Sequence, residues 1–136
     1  MTTVGSALPV WRLPVVDGEK MKVLALLLAD PNPIHFDPAA VMAVGLGDCP
    51  INQGPSSMAM LANAVRAAFP RGRLTRLQVT LRGSVAAGEE ALVRGIVVAH
   101  EPTSRGESIR CELTLESGDR TVLRGLADVS VDEGPP

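Results

Sequence analysis

Residues 54–82 read GPSSMAMLANAVRAAFPRGRLTRLQVTLR, and the change of rhythm inside this stretch decides the fold class. Gly54-Pro55 opens a helix in which Met58, Leu61, Ala62, Val65 and Phe69 recur at helical spacing, until Pro70 stops it. The only charge in it is Arg66, and its few polar residues, Ser56, Ser57 and Asn63, lie near the start, so the pattern predicts a helix enclosed by other structure. From Leu74 the period becomes two: Leu77, Val79 and Leu81 alternate with Arg76, Gln78, Thr80 and Arg82, as in a half-buried strand.

Three further strands are expected on the C-terminal side, at Ala91 to His100, Ser108 to Glu116 and Thr121 to Val131. In the second of these, Ile109, Cys111, Leu113 and Leu115 share one face. Ala87-Gly88, Arg105-Gly106 and Ser117-Gly118-Asp119 supply the turns between strands. On the N-terminal side, Asp17 can cap a helix from Gly18 with Met21, Leu24, Leu27 and Leu28 on one face, ending by Asp30 because Pro31 follows. Asp37, Pro38 and Gly45 mark a second short helix over Pro38 to Val44. Helices followed by an antiparallel meander give an α+β layer architecture, one long apolar helix against a curved sheet.

The chain is 136 residues long, which fits one domain, 1–136, with residues 132–136 expected to fray. An apolar share of 46%, a charged share of 21% and a formal charge of -2 give no electrostatic bias toward nucleic acid. Only Trp11, Phe36 and Phe69 are aromatic, so base-stacking platforms are lacking too. Cys49 and Cys111 have no metal-ligand or redox spacing and suit a reducing cytoplasm; neither a metal nor a cofactor is indicated. No apolar run is long enough to span a bilayer, and the start of the chain lacks the pattern of a secretory leader. The protein therefore reads as cytoplasmic.

Chemistry points to Ala29-Asp30-Pro31-Asn32-Pro33-Ile34-His35-Phe36-Asp37. The two prolines forbid a continuous helix and hold an acid and an imidazole on a stiff turn, as general acid/base work requires. Spacing alone leaves two readings equally open: a catalytic pair, or a helix stop followed by an ordinary turn histidine. Asp37 reads as a cap and Asn32 as a brace for the turn. His100 has no partner suggested by sequence and reads as a surface residue, Cys49 as an ordinary thiol. Arg71, Arg73, Arg76 and Arg82 could meet phosphates or an acidic carrier, but a solvated strand face explains them more simply.

The run Asp-x-Asn-Pro-Ile-His, Asp30 to His35, resembles the signature of MaoC-like R-specific enoyl-CoA hydratases. The order of the surrounding elements resembles the family from about Trp11 to Val131. The resemblance implies a hot-dog fold, a sheet wrapped around a long central helix. It also implies that Asp30 and His35 hold and activate the water added across a trans-2-enoyl thioester, or remove it from an R-3-hydroxyacyl thioester. Gly54 matches the glycine whose N–H faces the thioester carbonyl, a position suited to an enolate oxygen at a helix start. Many members have His-Gly-Met where this chain has Gln53-Gly54-Pro55, and Ser-Gly where it has Leu28-Ala29. Asn32, Gln53 and Ser56 are weaker candidates for substrate contact. The implied substrates are coenzyme A or acyl carrier protein thioesters, and the implied assembly is a homodimer or a heterodimer with a related hot-dog chain. Two other functions stand beside the hydratase: a partner-dependent or non-catalytic subunit, and a hot-dog thioesterase.

Overall fold

The computed structural model describes residues 2–132 and 134. In chain order its elements are β1 (Trp11–Leu13), α1 (Gly18–Leu27), a 3-10 turn (Pro33–His35), α2 (Pro38–Ala43), α3 (Gly54–Ala68), β2 (Arg73–Leu81), β3 (Ala91–Thr103), β4 (Gly106–Ser117) and β5 (Arg120–Asp132). The five strands form one antiparallel sheet in the order β1-β3-β4-β5-β2. With α3 laid along it, this is the hot-dog arrangement in the α+β class.

The sheet seats α3 through one face of each strand. Ile109, Cys111, Leu113 and Leu115 of β4 are all buried, and with Leu123, Ala127 and Val129 of β5 they form the floor on which Met60, Leu61, Ala64 and Val65 rest. Gly125 lets the helix come close, since a Cβ there would stand 2.9 Å from a Leu61 methyl. Burial pushes the Cys111 thiol up to about 11, with Asp128 adding to the shift, so this cysteine acts as a small apolar filler.

Several expectations need correction. The helix α3 is covered on one side only: Ala59, Asn63, Arg66 and Ala67 are exposed, because the sheet reaches one flank and small alanines can face outward at little cost. In α1 the buried residues are Met21 and Ala25, four apart, whereas Leu27 and Leu28 turn outward. Leu81 is 62% exposed, because β2 runs past the end of the core there. The strand β1 was not expected. Three residues are too few to show a period, and their partner in β3 lies some eighty positions away.

The strand β3 runs beyond His100 through Glu101 and Pro102 to Thr103. Proline is tolerated because the N-terminal segment beside β3 bonds only as far as Val97, leaving the far end of that edge without a ladder to satisfy. His100 is half-buried and does have a partner, Glu107 Oε2, 3.3 Å from its Nε2. Asp132 ends β5 opposite Gly106 rather than fraying, while Glu133, Pro135 and Pro136 lie outside the described residues.

One polar cluster closes the base of the meander. Glu89 accepts from the Ala86 N–H, from Ser117 Oγ and from Arg120, tying the turn before β3 to the β4–β5 hairpin. Burial raises the Glu89 carboxyl, but these three partners outweigh it and hold the group below its ordinary range. A carboxylate whose pKa is lowered by folding contributes stability that is present above the ordinary glutamate range and lost as pH falls through the lowered value. Glu89→Gln is therefore expected to reduce stability at about pH 7 and to flatten its decline toward about pH 4, read from urea melts at both values.

Candidate active site

The turn that carries Asp30 begins as a helix end. The Ala29 N–H bonds Leu26 O and the Asp30 N–H bonds Ala25 O at 2.9 Å, the paired bonds of a Schellman stop. Such a stop places its central residue in the left-handed region, and Ala29 sits there at φ 51. Glycine would adopt this backbone without the Cβ penalty. Ala29→Gly is thus expected to stabilise the chain by about 1 kcal/mol, measured by urea denaturation.

Beyond the stop, short side chains fold the backbone onto itself. Asp30 Oδ1 accepts the Asn32 N–H at 3.1 Å, and Asn32 Oδ1 accepts the Ile34 N–H at 3.3 Å, capping the 3-10 turn. Asn32 is thereby the brace expected from its type. Asp37 Oδ1 accepts the Ala39 N–H and starts α2. Asp30 is left with Oδ2 free for other work.

That oxygen lies 3.3 Å from His35 Nε2. His35 is buried, 8% exposed, and the other nitrogen of its ring, Nδ1, stands 2.8 Å from the carbonyl of Ile51. A carbonyl can only accept, so Nδ1 carries a proton and Nε2 is the nitrogen presented to Asp30. Ile51 is itself fixed by its N–H to Ile34 O at 3.0 Å. A backbone carbonyl leaves no mark in a sequence, so this orienting group could not have been found there.

From Ile51 the chain enters α3 within three residues. Asn52 is held by its N–H to Val85 O and by Nδ2 to Ser57 Oγ. Gln53, the residue before the helix, is fully buried; its Nε2 donates to Met21 O at 2.8 Å, pinning α1 to the start of α3, and its Oε1 has no partner among the described residues. Gly54 then begins the helix, where first-turn N–H groups have no carbonyl within the helix to bond. A Cβ on Gly54 would lie 3.8 Å from both Leu81 methyls, which places the exposed end of β2 at this helix start.

Between α1 and α3 lies an apolar recess of about 270 Å³, walled by Met21, Val23, Leu24 and Leu27, with Asn52 and Ser56 at its α3 side. Ser56 is half-buried in it, whereas Gln53 exposes no surface. A larger recess, about 520 Å³, occupies the outer face of the sheet around Ile96 and Leu126; neither it nor the α1–α3 recess is lined by Asp30, His35 or Gly54. The arginines at 71, 73, 76 and 82 are exposed and do not line the α1–α3 recess.

Residues 12–118 match the MaoC like domain. The chain belongs to this family. Solved structures agree in fold: a chain of the ChsH1–ChsH2 complex from Mycobacterium tuberculosis superposes with TM-score 0.82 at 18% identity, covering 96% of this chain and 99% of that one. The (R)-hydratase from A. caviae involved in PHA biosynthesis gives TM-score 0.81 at 18% identity, covering 95% and 96%. A chain of the HadBC (3R-hydroxyacyl-ACP dehydratase) complex from Mycobacterium tuberculosis gives 0.70 at 14% identity, covering 96% and 100%. No curated protein matches the sequence. In this MaoC-like chain the matched region contains the whole Asp30 to Gly54 arrangement. Among the described residues no helix is long and apolar enough to cross a membrane, and no three metal-binding side chains gather.

Proposed function

We propose that this MaoC-like protein is a hydro-lyase that interconverts trans-2-enoyl and R-3-hydroxyacyl thioesters. The observation that carries the reading is the Asp30–His35 pair: a carboxylate oxygen 3.3 Å from an imidazole nitrogen whose ring is already fixed by the Ile51 carbonyl. Such a pair can hold a water beside it, within reach of both the carboxylate oxygen and the imidazole nitrogen. In hydration the water oxygen bonds to C3 of the enoyl group and one member of the pair takes its proton. The double-bond electrons shift toward the thioester oxygen as an enolate, and a proton delivered to C2 completes the addition. The Gly54 N–H, at the positive end of α3, is the donor assigned to that oxygen.

The remaining site residues take supporting parts in this reading. Asn32 keeps the Asp30 turn rigid, Gln53 sets α1 against α3, and Ser56 with the apolar α1 wall receives the acyl group. The substrate is a coenzyme A or acyl carrier protein thioester, the assembly includes a hot-dog partner chain, and the location is the cytoplasm. The relatives described as a hydratase and a dehydratase favour this chemistry over thioester hydrolysis.

The test is the fall in enoyl-thioester ultraviolet absorbance when the purified protein meets crotonyl-coenzyme A and a longer trans-2-enoyl-coenzyme A. Loss of absorbance without free thiol is the expected result. Release of free thiol would replace the hydratase with a thioesterase, and no reaction with either substrate would leave the partner-dependent subunit.

A further inference from the structure

Helix α1 turns apolar side chains both ways. Met21 and Ala25, four residues apart, are buried, while Val23, Leu26 and Leu27, at i, i+3 and i+4, form a second stripe on the outward side. Leu26 is 83% exposed and Leu27 78%. Eight of the fourteen exposed large apolar side chains among the described residues lie within residues 23–46, so the exposure is concentrated here rather than scattered. A concentration of this kind marks a binding surface. The helix cannot roll the stripe inward, because Gln53 Nε2 holds Met21 O and the Asp17 side chain caps the first turn through the Glu19 N–H.

The charges beside the stripe point to what it meets. At about 100° per residue the order around α1 is Lys20, Leu27, Val23, Leu26, Lys22, so one lysine stands on each flank. These two are the only lysines in the chain; its other eleven cations are arginines. Protein interfaces are enriched in arginine and depleted in lysine, so this pairing of leucine with lysine does not favour a protein as the cover. Lysine lays its stem along apolar surface and keeps a compact charge at the polar level above it, which is the arrangement of a helix lying among lipid headgroups. Residues 20–29 contain no aspartate or glutamate. Glu19, just before them, pairs with Lys22 Nζ at 2.8 Å, and Lys20 has no ion pair among the described residues.

We infer that α1 is a membrane-surface element: Val23, Leu26 and Leu27 enter the boundary between headgroups and acyl chains of an anionic bilayer, and Lys20 and Lys22 lie among its phosphates. Ten residues cannot cross a bilayer, so the contact is peripheral and reversible. The helix is already formed and fixed to the start of α3 through Gln53, so binding requires no further ordering of the chain. Val23 and Leu27 also wall the α1–α3 recess, with Lys20 at its rim, and the mouth of that recess would then lie at the lipid surface. The inference concerns the outward face of α1 and does not rest on the proposed reaction.

The test is co-sedimentation with vesicles of phosphatidylcholine alone and of phosphatidylcholine with about one third phosphatidylglycerol, at about 0.15 M and about 1 M salt. Wild type should bind the anionic vesicles roughly tenfold more tightly than the neutral ones and lose that preference at the higher salt. A lysine near an anionic surface contributes roughly fivefold in affinity, so Lys20→Gln/Lys22→Gln should bind the anionic vesicles roughly 25-fold more weakly. Leu26→Ser/Leu27→Ser should lose binding to both kinds, and Glu19→Gln, which releases Lys22, should bind the anionic ones more tightly. None of the substituted side chains is buried, and circular dichroism checks that each variant is folded. Wild type that stays in the supernatant with anionic vesicles, or glutamine and serine variants that bind as wild type does, would overturn the inference. So would sedimentation velocity without lipid if the serine pair dissolves a wild-type oligomer, since the stripe would then be a protein interface.

Discussion

Asp30→Asn is expected to lower the proposed hydration of crotonyl-coenzyme A by about 10²- to 10⁴-fold, the range that a positioned acid/base group supplies. The substitution is isosteric. Its carboxamide oxygen can still accept the Asn32 N–H, and the Ala25 and Leu26 bonds of the helix stop are backbone bonds that do not involve the side chain. What disappears is the negative oxygen 3.3 Å from His35 Nε2, and with it half of the pair proposed to hold the water. His35→Ala costs turnover on the same scale and some stability besides, because the buried Ile51 carbonyl loses its donor. Turnover and urea melts measured together separate the two effects: the asparagine variant keeps its midpoint while losing rate. Normal turnover in either variant would remove that residue from the mechanism.

Leu61→Ala destabilises the fold by about 2–5 kcal/mol, the largest stability loss expected from any single truncation in α3. Leu61 is fully buried at the middle of the helix and rests against Gly125. The glycine has no side chain that could move into the space left behind, so the site relaxes poorly and the cavity penalty adds to the lost transfer energy. A urea midpoint shift corresponding to less than about 1 kcal/mol would mean that the helix is not the keystone of the sheet.

The meander was legible because its signals are local. Alternation in β2, the buried face of β4 and glycine at the turns each occupy a few adjacent residues, and the observed strands follow them within a few positions. Long-range features were not. A three-residue β1 acquires its meaning only from a partner near Val93, and the outward turn of Leu27, Leu28 and Leu81 depends on where the sheet stops. His100 read as solitary because Glu107 reaches it only once the β3–β4 hairpin has folded.

The candidate site divides along the same line. Spacing left Asp30 and His35 open to two readings and the resemblance to the family singled them out as a pair; the two side chains do meet. The groups that aim them are backbone atoms: the Ile51 carbonyl behind the imidazole, and the Ala25 and Leu26 carbonyls under the helix stop. No residue type reports a carbonyl's direction. Gln53 differs again, since its burial and its bond to Met21 O turn a departure from the family pattern into a strut between two helices.

The covered edge of the sheet also bears on the order in which the molecule assembles. The hairpins β3–β4 and β4–β5 each close over a two-residue turn, so the chain entropy lost in forming them is small and they can form early. Trp11 must find Val93 some eighty positions away along the chain, an encounter that gains little until the strands beyond it are in place. The segment through Leu13 is therefore secured last during folding and released first under stress, so that local opening of the native protein begins at its N-terminal edge.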